Sequence, residues 1–99
     1  MLNADQLDGK AAMDLFKEVM VWKRLGDTSA VRYCCLNDLK TDQYAVQSAD
    51  FFRLPLEEQQ FRNFQSQFAE LFIEVSVHER CDWYDSLEDA IRAHDRDFS

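Results

Sequence analysis

Apolar and polar residues alternate along three short segments in the first half of the chain. The segments lie at about 19–24, 30–36 and 43–51, and the polar runs "LGDTSA" and "NDLKTD" separate them. Alternation with a period of two is typical of strands that bury one face. Because the connections are short, consecutive strands are expected to pair with each other. The pattern therefore predicts a three-stranded antiparallel meander.

The apolar residues that follow recur with the period of a helix. Pro55 suits a first helical turn, and the acids Glu57 and Glu58 follow it where the helix dipole favours negative charge. Large apolar side chains then return every three or four positions, which places them on one helical face. The spacing predicts an amphipathic helix over about 56–74. Its apolar stripe consists of Phe61, Phe64, Phe68, Leu71, Phe72 and Val75.

The segment "DSLEDAIRAHDRDF", residues 85–98, predicts a second helix. Asp85 or Ser86 can cap its first turn, since an acidic residue stands three positions after either of them. Glu88 lies four positions before Arg92, which is the favourable orientation for an ion pair on a helix. The inner stripe of this helix is expected to consist of Leu87, Ala90, Ile91, His94 and Phe98.

Two segments have ambiguous patterns. "GKAAMDLFKE" predicts a short N-terminal helix at about 9–17, although its last residues also alternate as a strand would. "IEVSVHERCDWY", residues 73–84, fits a fourth strand, because Ile73, Val75 and Val77 alternate with polar residues. The same segment fits a helix end followed by a loop equally well. Both alternatives stay open at the level of the sequence.

Together these elements predict an α+β fold. A chain of 99 residues suits one domain, so we expect a single domain over residues 1–99, with residues 1–8 frayed. The economical arrangement is a three-stranded antiparallel meander, or a four-stranded one, with the two main helices packed on one face. The aromatic stripe of the first helix would cover Tyr33 and Tyr44 on the sheet. A small-molecule pocket between that helix and the sheet is a further alternative.

The charge of the chain restricts its partners. The net charge is −8, and residues 70–99 carry nine acids against three bases, which accounts for −6 of it. Such a surface repels phosphate backbones and anionic lipid headgroups, so we expect neither nucleic acid nor a membrane as partner. A basic protein partner is compatible with it, as is a purely solubilising role.

Targeting signals and cysteine usage favour the cytoplasm. No apolar run reaches the roughly 18–20 residues of a membrane span, and the N-terminus lacks the basic and apolar regions of a secretory signal. Three cysteines at no framework spacing indicate a reducing compartment. No glycine-rich phosphate loop is present, so no nucleotide cofactor is expected.

The adjacent cysteines Cys34 and Cys35 fall within the second predicted strand. Neighbours in a strand point to opposite faces, and a bond between adjacent cysteines is strained. Free cysteine commonly fills a core as a small apolar group, so we expect both to be packing residues. His78 stands three residues before Cys81, which matches half of a zinc site or a Cys–His dyad. A thiol- or metal-dependent protein using Cys34, Cys35, His78 and Cys81 is therefore the alternative function.

The best candidates for a contact surface lie near the C-terminus. Trp83 and Tyr84 precede the last helix, and aromatic residues of these types dominate interface hot spots. Glu88 and Asp89 would form the acidic part of the surface. The favoured interpretation of Trp83 is nevertheless that it closes the core over the last helix. An exposed outer strand also makes a homodimer plausible. We expect no catalytic residues and predict a non-enzymatic protein-binding or regulatory module.

Two runs of the sequence resemble a group of small bacterial proteins that have no assigned activity. The runs are "RYCCLNDLKTDQYAVQSADFFRLP" at residues 32–55 and "WYDSLEDAIRAHDRDF" at residues 83–98. The likeness extends over about residues 20–98. It implies a bacterial, cytoplasmic protein and adds no catalytic residue, cofactor or partner.

Overall fold

The computed structural model describes residues 14–98. Three strands form the sheet: β1 (Phe16–Arg24), β2 (Ser29–Asp38) and β3 (Gln43–Arg53). They pair antiparallel in the order β1-β2-β3, as consecutive strands with short connections are expected to do. Asp42 adopts a positive φ of 60° in the turn between β2 and β3, a conformation that aspartate tolerates better than most residues. The predicted meander is therefore confirmed.

A β-bulge interrupts the pairing of the second and third strands. Cys34 lies opposite Ser48, whereas Cys35 lies opposite Val46, so Gln47 is an extra residue on β3. Bulges of this kind bend a strand and re-aim side chains. At this position the Gln47 side chain extends from the sheet toward α1, the helix over Glu58–Glu74. Its amide nitrogen donates to the Phe68 carbonyl oxygen at 3.1 Å.

Three helices follow the sheet: α1 (Glu58–Glu74), α2 (Val77–Arg80) and α3 (Leu87–Phe98). The first and third are the two main helices that the apolar periodicity predicts, and the α+β class is confirmed. Helix α1 begins at Glu58, after Pro55 rather than with it. Helix α3 begins after Ser86, whose hydroxyl accepts a hydrogen bond from the Asp89 backbone N–H at 3.0 Å. This contact is the expected N-terminal cap.

The two main helices contact opposite faces of the sheet, which corrects the expectation that both pack on one face. Phe61 of α1 stacks on Phe52 with ring centroids 4.5 Å apart, on the face that also carries Arg32. On the other face, the Tyr33 hydroxyl donates to the Asp95 carboxylate of α3 at 2.8 Å. The physical reason is that β2 is apolar or internally paired on both faces, so both require a cover.

Burial along β2 reflects this three-layer arrangement. All seven residues from Arg32 to Asp38 are buried, without the alternation of a strand that has one solvent face.

Helix α1 contributes less to the core than its sequence pattern suggests. None of its residues is fully buried, and its apolar stripe is half-covered.

Two segments differ from their predicted form. Of the N-terminal helix predicted over about 9–17, residues 14 and 15 are not helical, Phe16 and Lys17 belong to β1, and residues 9–13 lie outside the described residues. The segment 73–84 forms no fourth strand. It contains the end of α1 and the short α2, followed by a single bridge between Tyr84 and Tyr44 of β3. Within residues 14–98 no helix is both long enough and apolar enough to cross a bilayer.

Candidate functional site

The outer edge of β3 is paired over only part of its length. Tyr44 and Tyr84 exchange two backbone hydrogen bonds of 2.7 and 2.8 Å, which holds the chain after α2 against this edge. Beyond this bridge the two segments separate. The rest of the β3 edge therefore pairs with no further strand in the part of the chain that the structure describes.

The backbone of Ala49 faces outward from this edge. In an antiparallel pair, backbone groups point alternately toward the neighbouring strand and away from it. The Phe51 carbonyl oxygen accepts a bond from the Gln60 side chain at 3.3 Å and so faces away from β2. Ala49 precedes Phe51 by two residues and shares its orientation. Within residues 14–98 the outward groups of Ala49 have no strand partner.

A groove of about 600 Å³ runs along this edge between β3, α3 and the chain that follows α2. Its floor is formed by Val46 and Ala49 of β3 and by Ala90 and Ala93 of α3. The two helical alanines are 2% and 3% exposed, so they pack against the sheet. Their small size leaves the space beside the strand unfilled, which larger side chains would occupy.

Arg80 and Gln47 form the wall of the groove opposite α3. The Arg80 guanidinium donates to the Gln47 side-chain oxygen at 2.9 Å. Because the Gln47 amide also binds the Phe68 carbonyl of α1, the bulge connects this wall to the helix on the other face. The strand edge thus lies between two walls, one on each side of the sheet. This shape suits an extended chain lying beside β3.

Acidic residues stand at the rim of the groove. Asp82 and Asp97 line it and are exposed to solvent, whereas the basic Arg80 is half-buried. His94 also lines the groove, with its ring edge-on to Tyr33 at 5.9 Å between centroids. Residues 75–99, which supply this rim, carry seven acids against three bases.

The thiol of Cys81 lies in the groove in its protonated form. Burial raises its pKa, and the nearby Asp82 charge acts in the same direction, whereas Arg80 opposes them. The sulfur lies 3.9 Å from the Val46 carbonyl oxygen, to which it can donate a weak hydrogen bond. A thiol with a raised pKa is a poor nucleophile at neutral pH. The groove therefore offers surface for binding rather than an activated sulfur.

The four residues proposed for a thiol or metal site do not come together. Cys34 and Cys35 are completely buried and point to opposite faces of the sheet. The His78 ring packs against Phe16 and Trp83, and its Nε2 lies 3.3 Å from the Asp38 carboxylate. Among residues 14–98, no group of three or more His, Cys, Asp or Glu side chains is placed to hold a metal ion.

Desolvation explains the state of the two buried thiols. Burial raises the pKa of Cys34 to about 11 and that of Cys35 to about 12. The Cys34 sulfur also lies 3.2 Å from the Asp50 carboxylate, whose charge opposes formation of a thiolate. Both side chains behave as small packing groups, as the sequence suggests.

The four predicted contact residues occupy three different environments. Trp83 stacks on Phe16 and on His78, with ring centroids 5.8 and 5.1 Å apart, and so closes an aromatic cluster. Tyr84 holds the bridge to β3 and lines the groove. Glu88 and Asp89 are exposed on α3, where both bind the Arg92 guanidinium. Of the four, only Tyr84 lines the groove.

Sequence reasoning missed the residues that shape the groove. Ala49, Ala90 and Ala93 carry no chemistry of their own, and the bulge at Gln47 has no local signature. The pair of alanines three positions apart on a predicted amphipathic helix was the one available signal, because small residues allow close approach to a sheet. Tyr33, one of the residues of the alternative small-molecule pocket, is 4% exposed, and its hydroxyl donates to Asp95.

Comparisons with other proteins leave the site to be interpreted from its own geometry. No protein-family model, no curated protein and no solved structure matches the chain.

Proposed function

We propose that this protein is a non-enzymatic module that binds an extended segment of another protein in the groove beside β3. The observation that carries the proposal is the outward-facing backbone of Ala49, which lies between two walls in a groove of about 600 Å³. An extended peptide can add to such an edge as a further strand, and its main-chain hydrogen bonds supply affinity. The bridge at Tyr44 and Tyr84 marks where the added strand would end.

The geometry fits a peptide better than it fits catalysis. The groove volume falls within the range of about 300–1,000 Å³ that is common for binding sites. Its floor is apolar, so alternate side chains of an added strand would find apolar contacts at Val46 and Ala93. The thiol that lines the groove, Cys81, has a pKa raised by burial, which makes it a poor nucleophile at neutral pH.

A basic segment is the partner that suits the charge of this surface. Asp82 and Asp97 stand at the rim, where they can pair with lysine or arginine side chains of the bound peptide. Glu88 and Asp89 are farther out on α3 and are already paired with Arg92, so their role would be attraction at longer range. The three unpaired cysteines are consistent with a cytoplasmic setting, which we propose as well.

Selection from a library of displayed random twelve-residue peptides tests this function. We expect enrichment of peptides that alternate apolar residues with lysine or arginine. Three variants then examine the site. Ala49→Pro removes the outward N–H without removing a bond to β2, and the pair Asp82→Lys and Asp97→Lys reverses the charge of the rim. The pair Glu70→Lys and Glu74→Lys on exposed positions of α1 is the matched control for charge.

The groove variants should weaken binding of the enriched peptides about tenfold, which corresponds to the loss of one or two interfacial hydrogen bonds or ion pairs. The α1 control should bind with nearly the native affinity. If no peptide is enriched, or if the enriched peptides bind Ala49→Pro and the rim variant as tightly as the native protein, the proposed function is wrong. The rim variant keeps the test valid if the proline prevents folding.

A further inference from the structure

The outer edge of β1 is a second strand edge that has no partner strand among residues 14–98. Leu15 and Leu25 flank β1 at its two ends. The Leu25 N–H donates to the Ser29 carbonyl oxygen, and the Leu39 N–H donates to the Leu15 carbonyl oxygen. The backbone N–H and C=O groups of the odd-numbered residues of β1 therefore point toward β2. The backbone groups of the even-numbered residues therefore face outward. They belong to Glu18, Met20, Trp22 and Arg24. In the described part of the chain no strand pairs with them.

Two exposed apolar patches lie on the α1 face, one near each end of this strand. The start patch consists of Phe72 and Ile73, which are 37% and 79% exposed, and Phe72 packs against Phe16 at the beginning of β1. The end patch consists of Trp22, Leu54 and Leu56, each about half exposed. These three residues line an apolar pocket of about 240 Å³ near the end of β1.

We propose that β1 pairs antiparallel with β1 of a second copy, which extends the sheet to six strands across a twofold axis at Val21. Antiparallel pairing places the beginning of one strand beside the end of the other. The start patch of each copy therefore approaches the end patch of its partner, and each covers apolar surface that the single chain leaves exposed. The second copy is the occupant that explains why the two patches flank the same strand edge.

Charge complementarity selects the register. A twofold axis perpendicular to the sheet keeps each face continuous, so residues that lie directly opposite are both even-numbered or both odd-numbered. With the axis at Val21, Glu18 lies opposite Arg24 of the other copy, and this ion pair occurs twice. Met20 then lies opposite Trp22, an apolar contact. With the axis at Met20, Lys17 would lie opposite Lys23, and like charges directly opposite are unfavourable.

This dimer is independent of the proposed peptide groove. The peptide would bind at the outer edge of β3, and β2 separates that edge from β1. A dimer would therefore present one groove at each end of its six-stranded sheet. Failure of either proposal leaves the other unaffected.

Charge-swap variants measured by sedimentation velocity test the dimer. We expect the native chain to dimerise with a concentration-dependent sedimentation coefficient. Glu18→Arg places two arginines opposite each other, and Arg24→Glu places two glutamates opposite each other, so each variant should dimerise at least about tenfold more weakly. An equimolar mixture of the two variants should restore dimers, because each arginine then faces a glutamate. The mixture also shows that both variants remain folded.

Three results would overturn the proposal. The first is a native chain that stays monomeric at concentrations up to about 1 mM, since a specific interface of useful strength is populated there. The second is single variants that dimerise as tightly as the native chain. The third is a mixture that stays as monomeric as its components, which would exclude the register with Glu18 opposite Arg24.

Discussion

The Arg32 guanidinium and the Asp50 carboxylate form a cross-strand ion pair at 2.9 Å beneath α1, with only 11% and 10% of their side chains exposed. Aromatic rings of Trp22, Phe52 and Phe61 surround the guanidinium at 5.2–6.0 Å. Burial alone would lower the pKa of Arg32, but the hydrogen bond and charge of Asp50 raise it above its ordinary value. The guanidinium is therefore held in its charged state within an aromatic enclosure.

Breaking this pair on one side should destabilise the fold strongly. Asp50→Ala leaves the Arg32 charge buried without its carboxylate, and we expect the free energy of unfolding to fall by about 3–5 kcal/mol. The double variant Arg32→Met and Asp50→Leu should lose much less, because apolar groups of similar size need no charge partner. Urea unfolding followed by tryptophan fluorescence measures both values.

A comparison with an exposed ion pair tests whether burial is the reason for this loss. Asp27→Ala, which breaks the exposed pair between Arg24 and Asp27, is the matched control and should change the free energy of unfolding by less than about 1 kcal/mol. Equal losses for Asp50→Ala and for the control would show that the buried pair is not a constraint on the fold.

Stability should decline at alkaline pH. The pKa values of Cys34, Cys35 and Tyr33 are raised to about 11, 12 and 12 by burial, whereas the unfolded chain ionises near its ordinary values of about 8.5 and 10. Above about pH 8.5 the unfolded state holds fewer protons than the folded state. The free energy of unfolding should therefore be constant near neutral pH and fall progressively as the pH rises toward 12.

Cys35→Ala separates this effect from general alkaline repulsion. The variant lacks one of the groups with a raised pKa, so its free energy of unfolding should fall less steeply with pH than that of the native chain. Between about pH 9 and pH 11 the two slopes should differ by up to about 1.4 kcal/mol per pH unit. Denaturant titrations at successive pH values measure the slope. A variant with the same slope as the native chain would contradict the assignment of a strongly raised pKa to Cys35.

Trp83 should act on stability and not on binding. Its ring packs against both Phe16 and His78 in a three-ring cluster, so Trp83→Ala should lower the free energy of unfolding by about 3 kcal/mol through lost packing. The affinity for groove-binding peptides should stay within about twofold of the native value when measured well below the unfolding temperature. Tyr84→Ala, at the adjacent residue that lines the groove, is the paired comparison and should weaken peptide binding. If Trp83→Ala weakened peptide binding and Tyr84→Ala did not, Trp83 and not Tyr84 would be the residue that contacts the peptide.

Periodicity predicts most of the secondary structure because local burial dictates it. The three strands and the two main helices follow from alternation and from the stripe that begins at Phe61. The placement of the helices does not follow. Arg32 and Asp50 look like residues of a solvent-facing surface in the sequence, and only their pairing across two strands makes that face internal. The sequence of either strand alone therefore does not indicate that α1 covers the sheet face with Arg32 and Asp50.

The candidate site depends on long-range geometry for the same reason. The orientation of Ala49 follows from its pairing with Tyr33 and from the extra residue at Gln47, neither of which is visible within β3 alone. The segment 73–84 is ambiguous in sequence because a short apolar run fits a strand or a helix end. Contact of Phe16 with Trp83 and His78 fixes the position of this segment in the structure.

The exchange rate of the Ala49 amide with solvent, measured by NMR with and without an enriched peptide, tests the central claim most directly. In the free protein this amide should exchange faster than those of Ser48 and Asp50, which face β2. Saturating peptide should slow the exchange of Ala49 at least about tenfold, because its N–H would then donate to the added strand. A peptide that binds while the Ala49 amide exchanges as fast as before would contradict strand addition at this edge.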